Sequence, residues 1–137
     1  MSEREVVRVR DVMKKEYDLV DGMVTVQEAL QKMQHVETKC LIVNKRHKDD
    51  EYGIVMLSDI AKLVLAHDRA PDRINVYEIM SKPVIPVDPC MDIRYCARLF
   101  ERFGLSRAPV IEDRKVVGIV SFTDMVLRGM CKQPESV

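Results

Sequence analysis

Apolar residues recur twice along this chain at the spacing of a single helix face. In the first stretch Val26, Ala29, Leu30, Met33 and Val36 fall at i, i+3, i+4, i+7 and i+10. In the second, 67 residues later, Ile93, Cys96, Ala97, Phe100 and Phe103 take the same five places. A 3.6-residue period of this kind predicts two amphipathic helices. Each opens on a residue able to cap a free N–H, Thr25 or Asp92, and Glu28 completes a capping box with Thr25. Two short runs rich in β-branched residues follow each helix, at 41–43 and 53–56 and again at 108–111 and 116–120. Their length predicts strand hairpins. The first hairpin turn, residues 45–52, is longer than its counterpart at 112–117. A further helix is expected from about Ser58 to His67, and from about Thr123 to Cys131.

Nearly the same eight-residue word closes both hairpins: GIVMLSDI at 53–60 and GIVSFTDM at 118–125. Upstream, VRDVM at 9–13 matches VYEIM at 76–80. The chain is therefore an internal repeat, and each copy reads strand–helix–strand–strand–helix in an α+β fold. One copy of this size buries little by itself, so the two are expected to pack about a pseudo-twofold axis. The expected organisation is an N-terminal extension at 1–8, a first repeat at 9–67, a polar linker at 68–75, a second repeat at 76–131 and a tail at 132–137.

Composition removes several functions. Lys and Arg together number 22, as do Asp and Glu, for a net charge of zero. The balance is local as well: residues 1–68 carry 11 basic and 13 acidic side chains, and residues 69–137 carry 11 and 9. No basic stripe of the kind nucleic-acid binders concentrate is present. The four cysteines (Cys40, Cys90, Cys96 and Cys131) form no closely spaced ligand pair, which argues against a metal site. Three lie in apolar surroundings and read as reduced thiols. No apolar signal core or membrane-length run occurs, so the expected location is cytoplasmic. His35, His47 and His67 are scattered, with no nucleophile motif, and no catalytic residue is expected. The charge run at 45–51 reads as a solvated turn.

The order of elements from IMSKPVIPVD to GIVSFTDMVLR resembles a CBS domain, the module named after cystathionine β-synthase. The first copy resembles a more divergent member, and together they form a tandem pair. The resemblance implies a Bateman module that binds an adenosine-containing ligand, AMP, ADP, ATP or S-adenosylmethionine, in clefts between copies. At the residue level, Thr123 reads as a helix N-cap and Asp124 as a first-turn carboxylate, and that structural reading is complete without a ligand. The resemblance adds a second reading, in which Asp124 holds the ribose while Ser121 and Thr123 serve the sugar–phosphate side. It also places Arg107 on phosphate beside Ala108 and Pro109, with Val84, Ile85 and Val87 flanking the adenine. In the first copy Asp59 and Ser58 persist, but Met56 replaces the hydroxyl of Ser121, and Lys39 stands one position from the place of Arg107. A weaker first-copy site is expected. Two functions follow: a non-catalytic regulatory sensor acting on an unidentified protein partner, or a ligand-free interaction module. Apolar residues around the second helices, at 60–66 and 125–130, point to a homodimer.

Overall fold

A computed structural model describes residues 5–130. The chain forms two units: one joins the N-terminal segment through Lys15 to the chain from Ile85 onward, and the other spans Glu16–Val84. Neither unit is a sequence repeat by itself. Residues 9–13, at the head of the first repeat, pack with the second, while residues 74–79 pack with the first.

In the unit containing the C-terminal half, helix α1 (Val9–Val12) is anchored by backbone bonds from Val9 N–H to Met91 O (2.8 Å) and from Arg10 N–H to Pro89 O (2.9 Å). Val9 and Val12 are fully buried with Cys96, Phe100, Val110 and Val120 in one apolar cluster. In the other unit strand β1 (Leu19–Val20) pairs in parallel with β2 (Cys40–Val43), which pairs antiparallel with β3 (Gly53–Met56). Helix α2 (Val26–Gln31) begins with the expected capping box, Thr25 Oγ1 accepting from Glu28 N–H and Glu28 Oε1 accepting from Thr25 N–H, both at 3.1 Å. Helix α3 (Leu57–Ile60) then widens into a π-helical turn over Ala61–Leu65.

Helix α2 is shorter than the apolar period predicts. The carboxylate of Asp18 takes the N–H groups of Gln34 and His35, each at 2.9 Å, and so draws the chain out of the helix. Val26 and Ala29 are buried, while Leu30 and Val36 are exposed. Its counterpart α4 (Ile93–Phe103) runs eleven residues from an Asp92 cap to Gly104, whose φ of +66° ends it in the left-handed conformation that glycine adopts without strain. Phe103, on the last turn, is exposed.

The second hairpin pairs β4 (Arg107–Glu112) with β5 (Lys115–Ser121) across a two-residue turn in which Asp113 and Arg114 both have positive φ. Two positive φ values match the strand twist, as hairpin turns of this length require. The chain then enters α5 (Phe122–Asp124), which continues as a π-helical turn over Met125–Met130. The expected end of this helix at Cys131 lies outside the described residues. The long first turn is not simply solvated. Asp50 within it is buried and accepts from Lys82 Nζ (2.8 Å), Arg46 N–H (2.9 Å) and Arg46 Nε (3.1 Å), while Lys45 sits over the Tyr52 ring.

Candidate functional site

The repeated word owes its glycine to a backbone that passes directly beside it. A Cβ on Gly118 would lie 2.6 Å from the Lys14 carbonyl oxygen and 2.8 Å from the Met13 sulfur, both closer than atoms can stand. That closeness lets Lys14 pair with Ile119, each N–H donating to the other's carbonyl at 2.8 and 2.9 Å. Gly53 does the same for Ser81, which exchanges bonds of 2.9 and 3.0 Å with Ile54. Lys14 and Ser81 are thus equivalent positions, each drawn from the head of the other sequence repeat.

At the end of β5 the helix cap is Ser121, not Thr123. Ser121 has extended backbone angles, and its Oγ accepts from Asp124 N–H at 3.1 Å. Asp124 Oδ2 in turn accepts from Ser121 N–H (3.2 Å) and from Ser121 Oγ–H (2.9 Å). Thr123 stands one position inside the helix and is exposed, because a turn that begins at Phe122 has its cap one residue earlier. The other carboxylate oxygen of Asp124, Oδ1, accepts from the Lys14 ammonium. Asp124 is 3% exposed. A carboxylate so deeply buried costs far less when a cation and hydrogen bonds meet it, and Lys14 and Ser121 supply both.

Strand register sets the wall around this carboxylate. Arg107 lies opposite Ser121, and Pro109 opposite Ile119, which puts Arg107 and Pro109 on the Ser121 face. Ala108 alternates to the other face and is buried in the apolar cluster with Val110. Val87 is buried there too. Its N–H donates to Pro109 O (3.1 Å) and its carbonyl accepts from Ile111 (3.0 Å), so it supports the wall from behind. Ile85 is exposed at the head of the same unit. Val84 belongs to the other unit, its N–H donating to Tyr52 O at 3.3 Å. Register therefore sets Arg107 and Pro109 on the face of Ser121, which is bonded to Asp124, and Lys14 pairs with that carboxylate as a second cation that the sequence did not announce.

The first copy repeats the frame with different side chains. Cys40 takes the place of Arg107 opposite Met56, which takes the place of Ser121, and Ser81 takes the place of Lys14. Lys39 corresponds to Ser106: the carbonyl of each accepts the first helical N–H, from Leu57 at 3.0 Å and from Phe122 at 3.1 Å. The left-handed backbone of Lys39 (φ +59°) places it ahead of β2, and its side chain is exposed, as is Ser58. Asp59 accepts from Met56 N–H (2.9 Å) and is half-buried, with no cation paired to it among the described residues. Asp124, which a cation and a hydroxyl both reach, is the more buried of the two carboxylates.

Away from these junctions, ion pairs strongly perturb two carboxylates. Bonds from the Arg94 guanidinium, then from its backbone N–H, hold Asp92 at about 2. Asp50 is held well below the carboxylate range, first by Lys82 and then by Arg46. Among the described residues no cluster of side chains could hold a metal ion, and no helix is long and apolar enough to cross a membrane.

Two α+β repeats, each ending in a capped aspartate at a strand-to-helix junction, define the class. The chain belongs to the CBS domain family, which it matches twice, over residues 9–66 and 76–129. It is 34% identical to the hexameric CBS-CP12 protein from bloom-forming cyanobacteria, with a TM-score of 0.87 over 96% of this chain and 77% of that one. It is 25% identical to the CBS domain pair of protein MJ0100, solved in complex with 5′-methylthioadenosine and S-adenosyl-L-methionine, with a TM-score of 0.72 over 89% of this chain and 98% of that one. An uncharacterized protein of Methanopyrus kandleri is 31% identical over 113 residues, 80% of this chain. The chain spans 57% of that relative's length.

Proposed function

We propose that this protein is a regulatory CBS pair without catalytic activity that binds an adenosine-containing ligand at the β5–α5 junction. The observation that carries the reading is the convergence of Asp124, Ser121 and Arg107: a carboxylate able to accept from sugar hydroxyls, a hydroxyl, and a guanidinium suited to phosphate. Thr123, exposed on the first helical turn, adds a hydroxyl at the same end. The MJ0100 pair, a relative with this fold, was solved with two adenosyl compounds. AMP, ADP, ATP and S-adenosylmethionine are the candidates, and the signal passes to a protein partner or through a homodimer. Exposed Leu63 and Leu65 on the π-helical turn after α3, and exposed Leu127 and Met130 beyond α5, support self-association.

Calorimetry with adenosine, the three nucleotides and S-adenosylmethionine tests the reading. A ligand at a hundred times its dissociation constant should also stabilise the fold by about 2.7 kcal/mol. Asp124→Asn, which keeps an acceptor for the Ser121 cap, should abolish binding. Arg107→Ala should weaken AMP much more than adenosine. The second reading, an interaction module with no ligand, is favoured by the partners Asp124 already has within the chain. The absence of binding by every ligand in the panel would establish it instead.

A further inference from the structure

We propose that Lys14 is an internal competitor at the second-copy site. On this account a ligand must displace its ammonium to reach Asp124, and the displaced ammonium then serves the ligand's anionic group. The inference rests on the reading of Asp124 as the sugar-binding carboxylate.

An ionised carboxylate offers about four lone-pair positions. Oδ2 of Asp124 already receives two donors from Ser121, and Oδ1 receives Lys14. One position remains, on a residue that is 3% exposed. With both Ser121 donors in place, two ribose hydroxyls cannot both donate to Asp124 while the ammonium stays.

Ser121 N–H to Oδ2 and Asp124 N–H to Ser121 Oγ form the helix cap and persist; the Ser121 hydroxyl proton can turn away, but that frees a position only on Oδ2 and leaves Oδ1 under the more exposed Lys14. At Oδ1 the mobile member is Lys14, and only its side chain is free to move. Its backbone is held by both bonds to Ile119, by the bare Cα of Gly118, and by Arg128 Nη1, which donates to the preceding carbonyl of Met13 at 3.3 Å. The side chain is 27% exposed and ends a flexible four-carbon stem, so the ammonium can swing while its root stays fixed. Once displaced it joins Arg107 on the same strand face, giving the site two cations. A neutral nucleoside gains nothing from that second cation, whereas a nucleotide does. Lys14 therefore selects for anionic ligands by penalising every ligand equally and compensating only those with negative charge. The first copy carries Ser81 at this place, so the lock belongs to the second copy alone.

The test compares wild type with Lys14→Met, which keeps the apolar stem, and Lys14→Ser, which installs the first-copy residue. Urea unfolding identifies which variants fold. If the displaced state is populated at about one part in ten, removing the competitor tightens adenosine about tenfold, because apparent affinity scales with the competent fraction. AMP should tighten less, so the AMP-to-adenosine affinity ratio falls several-fold. Binding of adenosine by the variants alone would mean a tighter lock and also supports the proposal. A folded variant whose adenosine affinity is unchanged or weaker overturns it while leaving the site itself standing. If neither wild type nor variants bind any adenosyl ligand, the sugar-binding reading fails and the competitor with it. A measurement on the unaltered protein decides the matter even if both variants unfold. Reductive methylation, read by mass spectrometry, should modify Lys14 faster when adenosine is bound, and AMP should not produce that increase. Adenosine binding with no change at Lys14 refutes displacement.

Discussion

Gly118→Ala should be among the most damaging single-methyl additions this chain can receive. The added carbon would stand 2.6 Å from the Lys14 carbonyl oxygen, 2.8 Å from the Met13 sulfur and 3.2 Å from Met13 Cγ. The thioether can rotate away, but the carbonyl belongs to a backbone paired on both sides with Ile119. Relief requires that residues 13–14 lift from β5, which weakens two backbone hydrogen bonds worth about 1 kcal/mol each, net. Forcing an extra methyl into a filled space adds about 1–3 kcal/mol. The expected loss is therefore about 3–5 kcal/mol, a large part of the roughly 5–15 kcal/mol that holds a domain of this kind folded. Two internal controls sharpen the test. Gly53→Ala meets chiefly the movable Met80 sulfur at 2.8 Å and the Ser81 carbonyl only at 3.4 Å, so it should cost less. Gly104→Ala meets nothing within 4 Å and should cost about 1 kcal/mol, from its positive φ alone. The chain has no tryptophan, so urea unfolding is best followed by far-ultraviolet circular dichroism and tyrosine fluorescence together. Gly118→Ala within about 0.5 kcal/mol of wild type, the range of an inconsequential surface change, would refute the close-approach argument.

Acid should destabilise the protein in a defined window. Asp92, at about 2, and Asp50, lower still, sit below the ordinary 3.8, so they contribute stability above about pH 4 that is lost as the pH falls toward 2. The urea midpoint should be level near neutrality and drop below pH 4, and Asp50→Asn should flatten part of that drop; an unchanged profile would count against these pairs. Cys96, fully buried and pushed up to about 11 by that burial, should resist iodoacetamide at pH 7.5 in the folded protein, as should buried Cys40, while exposed Cys90 reacts. Mass spectrometry of the peptides reads the order, and early labelling of Cys96 would contradict the packing of α4. Light scattering at micromolar concentration should give about twice the chain mass of 15.8 kDa. A clean monomer would remove the dimer route for any signal.

The repeat, the hairpins, the caps at Thr25 and Asp92 and the family itself were legible in the sequence because they are local. Period, β-branched runs and capping residues act within a few positions, and two copies of the same word reinforce each other. The buried positions of α4 followed from its period at Ile93, Cys96 and Phe100, and failed at Phe103, which lies on the last turn, where the helix leaves the core. Helix α2 ended early because Asp18, sixteen residues upstream of Gln34, takes the N–H groups that would have prolonged it. The cap at the candidate site moved from Thr123 to Ser121 for a reason that spacing does not encode: the helix begins where the Ser106 carbonyl accepts Phe122 N–H. Most of all, nothing near Asp124 in the chain announces Lys14, 110 residues away. Each sequence repeat lends its first few residues to the core of the other, so a side chain at the head of one copy meets the carboxylate at the end of the other. Local order is written in neighbouring residues. Which cation neutralises a buried aspartate is decided only when distant backbone segments pack, here across a glycine with no side chain to keep them apart.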